Sequence, residues 1–167
     1  MRIALYGGSF DPVHSGHVGV VRAALAELEP ERVFVLPAAL NPFKADRTIA
    51  GHLDARLRVR LLRLAFAGFE RVTVDERELR RGGVSYAIDT VREFAAEYPG
   101  AEICFLIGED SVAGLSRWKD FGELRRLCGF RSFPRTRESS TEVRRRLAAG
   151  EGLGDLVPEA VRRVLQP

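Results

Sequence analysis

Cysteine and tryptophan are scarce in this 167-residue chain, which has two cysteines and one tryptophan. Cys104 sits inside an apolar run and Cys128 at the end of a leucine-rich one, with no CxxC spacing. That pattern argues against a disulfide scaffold or a thiolate metal site and predicts buried free thiols in a reducing cytoplasm. No stretch approaches the roughly 18 consecutive apolar residues of a membrane span. The opening "MRIALYGG" turns glycine-rich too soon for a secretory signal, so a soluble, unexported protein is expected. The sequence also lacks GxGxxG and a Walker lysine, which removes the dinucleotide-fingerprint and P-loop readings. Internal repeats, low-complexity tracts and linkers are missing too. An excess of one charge is small: 26 Lys and Arg against 23 Asp and Glu, a net charge of +3. The arginines are spread over several helices, so a polynucleotide partner is not expected, whereas a small anionic substrate accounts for the modest excess.

What is present is alternation. "RIALY" (2–6), "RVFVL" (32–36), "RVTV" (71–74) and "EICFLI" (102–107) read as strands, and their near-continuous apolar character predicts central parallel strands covered on both faces. Between the first two, Val20, Val21, Ala24, Leu25 and Leu28 recur at helical spacing up to Pro30. Leu53, Leu57, Leu61, Leu64 and Ala65 outline a second helix, and Ile88, Val91, Phe94, Ala95 and Tyr98 a third that stops at Pro99-Gly100. A weak strand at 128–133 and two helices near 140–149 and 158–166 complete the chain. The fold class expected is α/β: a doubly wound, Rossmann-like open parallel sheet with helices on both faces and a small helical C-terminal segment, as one domain over 1–167. Ligands of such sheets bind beyond the carboxyl ends of the strands. There "GGSFDPVHSGH" (7–17), "PAALNPFK" (37–44) and "GED" (108–110) should meet, although they are far apart in sequence.

The first of these segments is over-specified for a simple connection. Gly7 and Gly8 lack Cβ atoms and let backbone N–H groups approach a ligand. His14 and His17, spaced i, i+3 at a helix start, place two imidazoles beside the positive end of the helix dipole, which suits a phosphate. The alternative is that His14 caps the helix and His17 packs. A second cluster is "ESSTEVRRRL" (138–147), where Ser139 and Glu142 form a capping-box signature. Ser140, Thr141 and Arg144 add hydroxyls and a guanidinium able to grip a polyphosphate. Read alone, the segment is equally a well-capped helix with a basic face.

HxGH after a first strand resembles the nucleotidyltransferase superfamily, and "SSTEVR" resembles its second motif, Ser-Ser-Thr-x-x-Arg. With "DERELRRGGVSYAIDT" (75–90) and "FLIGEDSVAGLSRW" (105–118), the chain resembles the bacterial nicotinate mononucleotide adenylyltransferases over nearly its whole length. That resemblance implies transfer of AMP from ATP to nicotinate mononucleotide, giving nicotinate adenine dinucleotide and pyrophosphate in NAD biosynthesis. It places Gly7, Gly8, Ser9, Phe10, His14, Gly16, His17, Gly108, Asp110, Ser139, Ser140, Thr141 and Arg144 at ATP. It places Lys44, Ser85, Tyr86, Ala87 and Trp118 at the mononucleotide, with His14, His17, Lys44 and Arg144 carrying the chemistry. Asp110 would bind the ATP ribose, and Trp118 would lie against the nicotinate ring. Mg²⁺ would travel with the ATP phosphates and have no dedicated protein ligands. The implied partners are these two substrates, with a homo-oligomer allowed and neither nucleic acid nor membrane expected.

Three departures bear on this. Phe43 stands where the family usually has a histidine, and Ala87 where it has a threonine. The passage from "CGF" to "SST" is short where the family has another strand and a longer excursion; either the protein lacks it or residues are missing from the sequence. The alternatives are a pantetheine-phosphate adenylyltransferase, which shares the first and last motifs, and a catalytically impaired relative that binds nucleotide.

Overall fold

The computed structural model describes residues 1–39, 41–42 and 52–167. In chain order the elements are β1 (Arg2–Gly8), α1 (Ser15–Leu28), β2 (Arg32–Pro37), α2 (Ala55–Phe66), β3 (Val72–Val74), α3 (Arg77–Arg81), α4 (Ala87–Glu97), β4 (Glu102–Gly108), α5 (Glu109–Val112), α6 (Phe121–Leu127), β5 (Gly129–Phe133), α7 (Ser140–Ala149) and α8 (Glu159–Leu165). All five strands run parallel in the order β3-β2-β1-β4-β5. The weak strand at the end of the alternation is thus a full member of the sheet.

Period-two alternation divides each strand between two cores. Ala4 and Tyr6 of β1, with Val33 and Val35 of β2, face Val21 and Ala24 of α1, Leu61 and Leu62 of α2, Val143 of α7 and Val161 of α8. Ile3, Leu5, Phe34, Leu36, Phe105 and Ile107 turn the other way, onto Ile88, Val91 and Phe94 of α4 and Leu124 of α6. Burial on both faces explains the continuous apolar strands. The exception is β3. It is a three-residue edge strand, not a central one, and Thr73 is exposed. Leu53 lies outside α2, whose N-cap is Asp54 accepting from Leu57 N at 2.8 Å. α3 carries too few apolar residues to show a period and was not expected. Cys104 and Cys128 are free thiols, the latter buried, which pushes its pKa up to about 12. Among the described residues no helix is long and apolar enough to cross a membrane.

Candidate active site

The chain builds β1, β2 and β3 in one direction from β1 and then crosses to β4 and β5 on its other side. Helices on either side of that switch diverge and leave a crevice at the carboxyl ends of β1 and β4. There lies a cleft of about 650 Å³, an ordinary volume for a small-molecule site. Its walls unite Gly7 and Gly8 of β1, His14, Gly16 and His17 at the start of α1, Gly108 and Asp110 after β4, and Ser139, Ser140, Thr141 and Arg144 at the start of α7. Ala38, Asn41, Pro42, Ser85, Tyr86, Ala87 and Trp118 also line it. Lys44 and Phe43 lie outside the described residues.

Two residues expected on the wall, Ser9 and Phe10, line no part of it. Phe10 is only 2% exposed and stands edge-on to Tyr6 and His17, at centroid distances of 5.3 and 4.9 Å. It adopts φ 46°, a left-handed conformation uncommon for a bulky residue, and burial of its ring offsets that strain. Phe10 is therefore the floor on which the histidine segment rests. The main-chain carbonyl of Ser9 is taken by Arg58, as described below.

His14 is the N-cap of α1 and His17 its third residue. Their rings stack at 3.6 Å, and the His14 N–H donates to His17 Nδ1 at 3.1 Å. Capping and phosphate binding are thus not exclusive for this pair. Because Nδ1 of His17 accepts, its ring proton belongs on Nε2, which makes that nitrogen a donor. His14 Nδ1 is buried and has no hydrogen-bond partner among the described residues. Burial, opposed by the charge of Glu138, lowers the His14 pKa to about 4, so at neutral pH the imidazole is uncharged. His14 thus offers a neutral donor or acceptor in the free protein. Gly16 packs so closely against this pair that a Cβ would stand 3.0 Å from the His14 ring and 2.2 Å from Thr136 Oγ1.

The second motif caps α7 as its sequence predicts: Ser139 Oγ accepts from Glu142 N at 3.1 Å. The reciprocal half of the capping box is not made, because the Glu142 carboxylate pairs with Arg145 and Arg146, which hold its pKa near 2. Ser140 Oγ donates to the Pro12 carbonyl at 2.8 Å, and Arg144 Nη1 donates to the Asp11 carbonyl. These bonds bring the two motifs into one body. Asp11, 5% exposed, is the junction: its carboxylate accepts from Leu53 N at 2.7 Å, pairs with His52 and stands 3.7 Å from Arg144 Nη1.

Below the cleft, Arg58 of α2 is 7% exposed and donates from Nη1 to the carbonyls of Ser9, at 2.6 Å, and Ala38, at 3.0 Å. It ties together the segments that follow β1 and β2. The sequence carried a signal for it. Arg58, Leu61, Leu62 and Ala65 share helical spacing and are all buried, so an arginine occupies the apolar stripe of an amphipathic helix.

Asp110 is exposed and 3.9 Å from Arg135 Nη1, a weak solvated pair that leaves the carboxylate able to accept from a ligand. Gly108 makes its position possible, because a Cβ there would lie 2.5 Å from Asp110 Oδ1. In the remaining wall Trp118 meets Phe105 and Phe130 edge-on, at 5.8 and 6.2 Å, and Lys119 Nζ sits 4.5 Å from the Tyr86 ring centroid. Tyr86 and Ala87 form the N-cap and first residue of α4, where a helix has N–H groups without intrahelical partners. Ser85 contributes less directly: its hydroxyl accepts from Ala39 N at 3.0 Å. Glu78, 4% exposed, also borders the cleft and was not anticipated.

The cytidylyltransferase-like family matches residues 5–146, a span that contains both motifs. A Methylacidiphilum infernorum protein named "Probable nicotinate-nucleotide adenylyltransferase" is 34% identical over 96% of this chain and 87% of its own. One of the same name from Albidiferax ferrireducens is 36% identical over 98% and 94%. In structure, a Vibrio parahaemolyticus protein named for the same activity superposes with a TM-score of 0.84 at 20% identity, covering both chains fully. The Plasmodium falciparum nicotinic acid mononucleotide adenylyltransferase complexed with NaAD gives 0.75 at 14% identity, over 97% of this chain and 93% of its own. The chain belongs to the cytidylyltransferase-like family and, within it, to the nicotinate-nucleotide adenylyltransferases.

Proposed function

We propose that the protein transfers AMP from ATP to nicotinate mononucleotide, releasing pyrophosphate and forming nicotinate adenine dinucleotide. The observation that carries this reading is the convergence of the His14–His17 pair, Asp110 and the Ser139–Arg144 segment on one cleft, in a chain with nearly full-length relatives named for that activity. The Plasmodium structure named as a complex with NaAD supports a dinucleotide product.

In this reading a phosphate oxygen of the mononucleotide attacks the α-phosphorus of ATP in line, the bond to the β-phosphate oxygen breaks, and pyrophosphate carries away the electron pair. No side chain becomes covalently attached, so catalysis rests on placing two anionic substrates and stabilising charge on the phosphorus and leaving group. His17 donates from Nε2, and His14 is the neutral ring stacked behind it. Ser139, Ser140, Thr141 and Arg144 surround the β- and γ-phosphates, and Asp110 accepts from the ribose hydroxyls. Tyr86, Ala87 and Trp118 receive the nicotinate end, with main-chain N–H groups of α4 facing the carboxylate. Mg²⁺ would supply further charge neutralisation. Among the described residues no three His, Cys, Asp or Glu side chains converge to hold it, so the donor set fits an ion carried by the triphosphate.

The deciding experiment is pyrophosphate release with ATP against nicotinate mononucleotide, its amide and phosphopantetheine. The acid should exceed the amide in kcat/KM by about tenfold or more, because N–H donors placed for a carboxylate are left unmatched by an amide nitrogen. Preference for phosphopantetheine, or no release with any acceptor, overturns the reading.

A further inference from the structure

A glutamate buried at the edge of a binding cleft needs a reason. Transferring a carboxylate out of water is costly unless its oxygens are hydrogen-bonded, and for stability alone an apolar side chain of similar volume serves as well. Glu78 of α3 is 4% exposed, and that burial raises its pKa against the pull of its partners. Those partners come from both flanks of the first turn of α4. Thr90 Oγ1 donates to Glu78 Oε1 at 2.7 Å and accepts from Arg81 Nη2 at 2.9 Å, so its single proton is committed to the carboxylate. On the other flank, Ser85 lies beside the Glu78 side chain and favours its charged form. The Ser85 oxygen accepts from the N–H of Ala39, which leaves its own proton free to turn to the glutamate. One carboxylate thus bonds residue 90 and faces the hydroxyl of residue 85, which in turn holds the segment that follows β2. Between residues 85 and 90 lie Tyr86 and Ala87, both on the cleft wall.

We propose that Glu78 is a positioning residue for the acceptor half of the cleft, fixing the first turn of α4 through Ser85 and Thr90 so that its N–H groups meet the nicotinate carboxylate. The proposal rests on the adenylyl-transfer reading above. It accounts for a buried carboxylate beside a site whose ligands are themselves anions. Glu78 is committed to the flanking hydroxyls, and the charge of Arg81 favours its ionised form. Its influence is therefore on acceptor binding and leaves ATP unaffected.

The test is steady-state kinetics of the full chain and of Glu78→Gln, Glu78→Leu and Thr90→Val, with each substrate varied in turn. Glu78→Leu should raise the KM for nicotinate mononucleotide by about tenfold, the effect of losing hydrogen bonds to a charged group, and leave the KM for ATP within about twofold. Glu78→Gln keeps an acceptor oxygen and should lie between wild type and Glu78→Leu. Thr90→Val, which leaves the glutamate in place, should raise the same KM and decides the matter if Glu78→Leu does not fold. Equal rises in both KM values, or an unchanged acceptor KM in an active Thr90→Val protein, overturn the assignment of Glu78 alone. Wild-type protein that releases no pyrophosphate with nicotinate mononucleotide overturns the functional reading and this inference with it.

Discussion

Arg144 donates to the main-chain carbonyl of Asp11 and stands 3.7 Å from its carboxylate, so the side chain expected to grip phosphate also joins the second motif to the first. Arg144→Ala should therefore weaken ATP binding by about tenfold or more and also lower stability by about 1–2 kcal/mol. Arg144→Lys can restore one bond but not the fork that serves both partners. Isothermal titration with ATP, alongside denaturant melts of both variants, separates the two effects. Normal ATP affinity in folded Arg144→Ala would show that the residue serves structure only.

His17 performs two tasks with two nitrogens: Nδ1 accepts from the His14 N–H, and Nε2 carries the donor. Asparagine can reproduce an acceptor near Nδ1 but does not reach as far as Nε2. His17→Asn should keep the melting temperature close to wild type while kcat falls by about 10²-fold or more, the usual effect of removing one preorganised donor. Turnover near wild type would separate His17 from the chemistry.

The sheet was legible because its signal is burial: strands covered on both faces read as apolar runs, and all of them are found, including the weak one ending at Phe133. β3 misled because "RVTV" has the composition of a central strand, and only pairing shows it at the edge. At the site, residues recognised by chemistry at a strand or helix end, such as His14, His17, Asp110 and Ser139, reach the cleft. Phe10 does not, because a left-handed backbone angle in the turn sends its ring into the core. Asp11 and Glu78 were not legible, and of Arg58 only its place in the apolar stripe of α2 was. Each acts on partners distant in sequence, and no local spacing encodes a hydrogen bond from Arg58 to Ser9 or from Leu53 to Asp11.

Gly108 is predicted to matter for ATP through Asp110. Its missing Cβ leaves room for a carboxylate oxygen that would otherwise be 2.5 Å away. The neighbour is a side-chain end, so Gly108→Ala should fold but displace Asp110. The KM for ATP should rise by about fivefold to tenfold, as for a lost charge-assisted hydrogen bond, with little change for the acceptor. Asp110→Asn should act in the same direction. Unchanged ATP kinetics in both would remove Asp110 from the site.

Arg58 holds two main-chain carbonyls, that of Ala38 buried and that of Ser9 half-buried, and burial lowers its pKa while the charges of Asp11 and Asp54 oppose that shift. Arg58→Met leaves both acceptors unpaired and should destabilise the protein by about 2–4 kcal/mol. Arg58→Lys retains a cation and should lose less. Urea melts give both values. Equal stability of Arg58→Met and wild type would mean that other groups or water satisfy Ser9 and Ala38.

His14 sets the acid limit. Its pKa is about 4 in the folded protein and about 6.5 when exposed, so between those values the unfolded chain binds a proton that the folded chain does not. Stability from this group is complete above about pH 6.5 and is lost as pH falls through about 4, with an upper bound on the order of 3 kcal/mol. Glu142, held near pKa 2 by its arginines, gives up its own contribution between about pH 4.5 and 2, so most of its window lies below that of His14. His14→Asn keeps a good N-cap residue and removes the titration. Its melting temperature should change less between pH 6.5 and 4.5 than that of wild type. ATP offers an internal check. A triphosphate beside the imidazole favours the protonated ring, so ATP binding at pH 5 to 6 should take up protons in wild type and fewer in His14→Asn. Calorimetry in buffers of different ionisation enthalpy measures that uptake. Parallel pH–stability slopes and equal proton uptake in the two proteins would show that His14 is not the group that titrates.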